Sequence, residues 1–395
     1  MSELSKDTGR KEIPGNFFGS YLIGEDEIEQ VVQVLQSQSI FRYYGPNVLG
    51  KADQFEKDLN NFHDIPFSLG VSSGTAALKC ALKALGIEAG DEVIIPAYGF
   101  IATAGAVISC NAVPVFCDVD ESMNMNPAEL EKCITSRTKA IIPVHIMGIA
   151  ANMKMIMQIG KKYSIPIVED SAQSFGGSYL GEKLGTIGDI GCFSFQANKI
   201  LSTGEGGAIV THDEKLYARA KVYHDQGGVR VGASFPHWDH EDAILGENFR
   251  MSELTAAIGI AQLKKIPDML YKVKTLKKLL RENLRELELN YRMSWDDEGD
   301  CGIAECIFIN DTKRRNKLIE DLRLFGINAY GYYNSAVYEN RLFEKLSFPN
   351  NEISYKNGLC SNAERLSRQT VWIAISPLFG EENITHISET FKKCY

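Results

Sequence analysis

From Val71 to Thr211 the chain alternates short apolar, β-branched runs with helical stretches of roughly a dozen residues, a rhythm few architectures accommodate. The runs 91–96, 113–118, 140–145 and 165–170 read as buried strands. Leu78, Leu82 and Leu85 repeat at helical spacing until Gly86 stops the helix. Units of this kind pack as a mainly parallel sheet with right-handed crossovers, which places the chain in the α/β class. Beyond Pro267 the rhythm changes. A charged helix over 269–289 is followed by strands at 303–309, 327–333 and 370–375 and helices at 311–325, 357–367 and 381–393. That pattern predicts a smaller α+β domain with a mainly antiparallel sheet. For 395 residues the expected division is an N-terminal arm (1–24), a large domain (25–266) and a small C-terminal domain (267–395), hinged at Pro267. The arm is polar with Gly and Pro and reads as loose.

Chemistry concentrates in the stretch 193–207. A short apolar run, Phe193-Ser194-Phe195, rises into Gln196 and a single lysine, Lys199, and a glycine-dense loop follows. Lysines are ordinarily solvated, but apolar flanks favour burial here, and desolvation lowers the pKa of an amine that has to attack a carbonyl. Upstream, Ile165-Pro166-Ile167-Val168-Glu169-Asp170 reads as a strand ending in two carboxylates, at the end of the sheet where α/β folds bind ligands. An acid there suits the pyridine nitrogen of pyridoxal phosphate; a helix cap is the plainer reading of Asp170. Ser73, Gly74 and Thr75 open a helix at a strand-to-helix turn, as a cap or as a phosphate cup.

Glu169-Asp170-Ser171-Ala172-Gln173, Ser194-Phe195 with Lys199, and Thr203-Gly204-Glu205-Gly206-Gly207 together resemble the DegT/DnrJ/StrS sugar aminotransferases. These are pyridoxal-phosphate enzymes of the aspartate-aminotransferase fold (fold type I). The resemblance implies a large domain with a mainly parallel seven-stranded sheet sandwiched by helices, plus the smaller α+β domain. It implies that Lys199 is the catalytic, Schiff-base lysine, that Asp170 holds the pyridinium and that Gln173 touches the ring hydroxyl. Ser73, Gly74, Thr75 and Ser194 would hold the phosphate, and Phe100 would stack on the ring, although by itself Phe100 reads as core. Gly99 stands where the family pattern carries threonine. Asn248 would reach into a neighbouring subunit's site, making a homodimer with shared active sites. Phe41, Arg42, Tyr43, Arg250 and Tyr332 are the candidate substrate contacts.

The activity so implied is transfer of an amino group from an amino acid, L-glutamate foremost, to a keto or aldehydo sugar destined for surface polysaccharide or a secondary metabolite. An 8-amino-3,8-dideoxy-octulosonate-type or keto-cyclitol aminotransferase is the alternative to a nucleotide-sugar enzyme. A sugar dehydratase would carry histidine at the position of Lys199, and a non-catalytic regulator would keep the fold without turnover. A net charge of −9 with no basic cluster argues against nucleic acid. Nine cysteines without C-x-x-C spacing signal neither zinc nor disulfides, and suit a reducing cytoplasm. No apolar run reaches membrane-spanning length. The lone His145 at a strand end reads as structural. The glycine-rich run 185–191 lacks dinucleotide-loop spacing.

Overall fold

A computed structural model describes residues 17–232, 235–348 and 354–395. The strands in chain order are β1 (Phe67–Val71), β2 (Glu92–Pro96), β3 (Val113–Cys117), β4 (Thr138–Ile141), β5 (Val168–Asp170), a small hairpin of β6 (Ser178–Tyr179) and β7 (Glu182–Lys183), β8 (Ile190–Ser194) and β9 (Gly207–Thr211). Two blocks, β1-β9-β8-β5 and β3-β2-β4, meet edge to edge. Parallel bridges Ile141–Ile167 and Val144–Asp170 join them, with Asp170 N–H donating to the Pro143 carbonyl at 2.9 Å. The result is one seven-stranded sheet in the order β1-β9-β8-β5-β4-β2-β3. Only β9 runs against its neighbours. Every residue of β2 and β9 is buried, as expected where helices cover both faces of a sheet.

The helix Gly74–Ala84 shows why the local sequence folds as it does. The Ser73 hydroxyl accepts from Ala76 N–H as N-cap, alanines and leucines fill the turns, and Gly86 in the left-handed region (φ 82°) ends it. Its apolar positions pack on β8 and β9, so its N-terminus is held at the carboxyl end of the sheet.

The C-terminal region carries a second, three-stranded antiparallel sheet of β10 (Ala304–Phe308), β11 (Ala329–Tyr330) and β12 (Thr370–Ala374), in the order β10-β12-β11. Three local expectations need correction. The helix from Glu253 runs unbroken to Asn283, through Pro267 and across the expected 266/267 division. Proline sacrifices one backbone hydrogen bond, but Ile266, Met269, Leu270 and Val273 are buried around it and hold the helix together. The strand expected over 327–333 is two residues long. Past Gly331 the chain turns, with Tyr333 left-handed (φ 47°), and carries Tyr332 and Tyr333 away from the sheet. The arm is not loose where it is described; residues 1–16 lie outside the described residues. Phe18 is buried, and Gly19 N–H donates to the Lys199 carbonyl at 3.0 Å. No helix among the described residues is long and apolar enough to cross a membrane.

Candidate active site

At the carboxyl ends of β5 and β8 lies a cavity of about 500 Å³. Lys199, Asp170, Gln173 and Ser194 line it together with the first turn of the helix Gly74–Ala84, Phe100 and the tyrosine pair. Strand β8 delivers Ser194, and the chain then loops out through Lys199 and back. Phe195 N–H bonds the Gly206 carbonyl and Thr203 N–H the Phe195 carbonyl, both within 2.9 Å, so the loop is closed at its neck. Lys199 N–H bonds the Gln196 carbonyl at 2.8 Å. Burial holds the Lys199 amine below its ordinary pKa, and the nearby Asp170 charge opposes that shift.

Asp170 is almost wholly buried at the end of β5. Burial raises its pKa; the Thr103 hydroxyl at 2.7 Å, Ala172 N–H at 3.2 Å and the Lys199 charge act the other way. A cation beside this carboxyl adds to the second set and fixes it as carboxylate, which is what a protonated ring nitrogen provides. Gln173 turns its Oε1 away, accepting from Met147 N–H at 2.9 Å, so its Nε2 is left for the cavity. At the opposite end Ser73, Thr75 and Ser194 present hydroxyls around the N-terminus of the helix Gly74–Ala84. A Cβ on Gly74 would sit 2.7 Å from the Ser194 Cβ, so only glycine lets the two walls of this cup close. Hydroxyls, a helix N-terminus, an acid and a buried amine in one cavity fit the phosphate, ring nitrogen and aldehyde of pyridoxal phosphate.

Nine of the residues singled out in the sequence therefore converge here: Ser73, Gly74, Thr75, Phe100, Asp170, Gln173, Ser194, Lys199 and Tyr332. Five do not line this cavity. Arg42 is buried and ion-paired to Glu56 at 2.9 Å and Asp53 at 3.2 Å, so its guanidinium is committed to the interior. Phe41 and Tyr43 belong to a cluster in which Arg250 lies 5.3 Å from the Phe41 ring and Arg230 lies 4.1 Å from the Tyr43 ring. Asp225 binds both arginines, at 2.8 Å to Arg230 and 2.5 Å to Arg250. Asn248 is exposed beside this cluster. His145 is structural, as expected. Its Nε2 meets Glu169 at 2.9 Å and its Nδ1 accepts from Ala151 N–H. The glycine-rich run supplies backbone N–H groups from Gly185, Ile187 and Gly188 to that same Glu169.

One contributor, Thr103, escaped the sequence reading. Thr103 stands in the first turn of the helix Ile101–Ser109, whose N-cap residue is Phe100, and its hydroxyl reaches Asp170 only through the tertiary packing of that helix. Tyr333, which the sequence places with Tyr330, Tyr332 and Asn334 in a cluster at the substrate entrance, lines the cavity with its ring tilted against Tyr332, the centroids 3.9 Å apart.

Comparison with known proteins agrees with this geometry. The model of the DegT/DnrJ/EryC1/StrS aminotransferase family matches residues 22–392. The chain is similar to the GDP-perosamine synthase of Escherichia coli O157:H7, 37% identical over 62% of this chain and 65% of that protein. It is also similar to the L-glutamine:2-deoxy-scyllo-inosose aminotransferase of Streptomyces fradiae, 38% identical over 53% of this chain and 51% of that protein. Among solved structures, NtdA of Bacillus subtilis with bound cofactor PMP superposes with a TM-score of 0.81 at 26% identity, covering 99% of this chain and 86% of that one. With a buried lysine, an acid and a cup of hydroxyls in one cavity, the chain belongs to the DegT/DnrJ/EryC1/StrS aminotransferase family, and its cofactor is pyridoxal phosphate.

Proposed function

We propose that the protein moves an amino group from an amino acid, L-glutamate foremost, to a keto or aldehydo sugar, as a cytoplasmic homodimer with shared active sites. The observation that carries this reading is the single cavity holding Lys199, with its depressed amine pKa, and the buried Asp170. When bound, pyridoxal phosphate supplies the carbonyl that takes up the amino group and the ring that accepts the electron pair. The side chains do the rest. Asp170 keeps the ring nitrogen protonated, Gln173 donates to the ring oxygen, the serine–threonine cup anchors the phosphate, and the Lys199 Nζ carries the proton from the donor's α-carbon.

A second chain is part of the reading. Ile28, Val32, Leu35 and Ile40 are each more than 40% exposed on and just after the helix Glu25–Ser37. An apolar surface of that kind suits burial against a second copy, with Asn248 and Arg250 reaching the other site and the aromatic cluster beside them facing its substrate. All nine cysteines are free, which supports a reducing compartment.

The E. coli relative's name supports a nucleotide-linked sugar as acceptor, and the Streptomyces relative's name supports a keto-cyclitol. The test has two stages. Mixing holoenzyme with glutamate should convert its visible absorption to that of the aminated cofactor. Adding in turn nucleotide-linked 3- and 4-keto sugars, keto-cyclitols and an octulosonic 8-aldehyde should restore the original band with one class. No conversion with any amino acid would overturn the transaminase reading.

A further inference from the structure

Behind Gln173 lies a polar device that the reaction as described does not use. Residues Ile146–Gly148 form a tight turn in which Met147, a non-glycine residue, is left-handed (φ 49°, ψ 40°), with Gly148 also at positive φ (82°). Methionine gains nothing locally from that conformation, which persists only where the surroundings over-determine it. Here they do so from several directions. Asn124 Oδ1 accepts from Ile146 N–H at 3.0 Å, while its Nδ2 donates to the carbonyls of Ile149 and Ala150. Cys301 N–H donates to the Gly148 carbonyl at 3.1 Å. Arg292, wholly interior, donates to the Ile146 carbonyl at 2.8 Å, to the Ser122 carbonyl at 2.6 Å and to Asn124 Oδ1 at 3.4 Å. A buried guanidinium whose hydrogen-bond partners are carbonyls rather than carboxylates is a costly way to hold a turn if holding it has no further purpose.

The purpose is visible one residue on. Met147 N–H can only donate, so the Gln173 oxygen that accepts it is identified without ambiguity, and the Gln173 Nε2 is the end that faces the cavity. We infer that Arg292 is a positioning residue for the cofactor site: by clamping the Ile146–Gly148 turn it fixes which way the Gln173 amide points. Were the turn to relax, Oε1 would lose its donor, and the amide would be free to present an acceptor to an anionic ring oxygen. The argument rests on the reading of Gln173 as donor to the cofactor's ring oxygen. Arg292 comes from the segment between the helix Glu253–Asn283 and β10, so the second sheet's region sets an orientation inside the first.

The test uses holoenzyme and two readouts, the pH midpoint of the cofactor's visible band and the affinity for pyridoxal phosphate. A donor to the ring oxygen competes for the electron density that holds the proton shared with the lysine nitrogen. Losing the donor raises the midpoint. Gln173→Leu should raise it by about one pH unit, and Arg292→Met should raise it in the same direction by about half a unit or more, with cofactor binding weakened on the order of tenfold. The double variant should match Gln173→Leu, because both act through one amide. Arg292→Lys keeps the charge and one donor nitrogen; it should fold where Arg292→Met does not, and give part of the shift. Folded Arg292 variants with the wild-type midpoint, or a double variant whose shift is the sum of the two, would overturn the inference while leaving Gln173 in place. A wild-type midpoint in Gln173→Leu would instead remove the ring-oxygen reading itself, and the inference with it.

Discussion

An amine that is to attack a carbonyl must be unprotonated near neutral pH, and an acid that is to hold a pyridinium must be ionised; burial serves the first requirement and opposes the second. Both directions meet in this cavity, with Lys199 pushed down and Asp170 pushed up. For Lys199→Ala the expectation is retained cofactor binding through the phosphate cup and Asp170 with turnover abolished; circular dichroism confirms folding, and glutamate-dependent amination by the variant contradicts the assignment. For Asp170 the sign is unusual. Its folded pKa lies above the unfolded one, so its contribution to stability is present at low pH and is lost as pH rises through the folded value. Without cofactor, Asp170→Asn should therefore melt at or above the wild-type temperature at pH 8, while with pyridoxal phosphate bound its turnover should fall on the order of 10²–10⁴. Melting well below wild type would show that the carboxylate stabilises the empty site. Consecutive residues made this part of the site legible, since Asp170 and Gln173 leave one strand end and Lys199 follows β8. Arg42 was misread because a sequence does not show that Glu56, fourteen residues on, turns beneath it.

At the scale of elements, local signals held where burial agreed with them and lost where it did not. Ser73 caps its helix as its sequence suggests, whereas Pro267 fails to break a helix whose buried face continues on both sides. The helix Lys51–His63 ends in a residue with no counterpart in the sequence reading. His63 lies between Phe193, stacked at 4.7 Å, and the edge of Phe175, and burial with the nearby Lys183 pushes its pKa down to about 3. Such a histidine must stay neutral in the folded chain and is free to charge in the unfolded one. Stability is present above pH 6.5 and drains as pH falls toward 3, about 2 kcal/mol of it by pH 5. His63→Phe keeps the ring and removes the titration, so urea unfolding at pH 8 and pH 5 should show a smaller acid loss by about that amount. Equal losses in variant and wild type would place the acid sensitivity elsewhere. His224, also buried and also near 3, keeps its own share in both.

For the molecule as a whole, the seven-stranded sheet was implied by resemblance, and the alternating rhythm dictated its parallel character; the antiparallel β9 was visible in neither. The dimer reading predicts complementation. Lys199→Ala and Asn248→Ala, each inactive, should regain activity when mixed and allowed to exchange, because one site in a mixed dimer keeps both its lysine and its partner's asparagine. Mixtures no more active than either parent despite proven exchange contradict a shared site.

The clasp of Gly19 and Ser20 on the lysine loop has a consequence in time. The Ser20 hydroxyl bonds the Ala197 carbonyl across 177 residues of chain, beside the Gly19–Lys199 bond. On a ribosome the clasp is made early and must wait for nearly half the protein before its target emerges. The loop that carries Lys199 is thus fastened only after every strand of the large sheet except β9 has emerged, and a nascent chain acquires most of that framework before it can close the site.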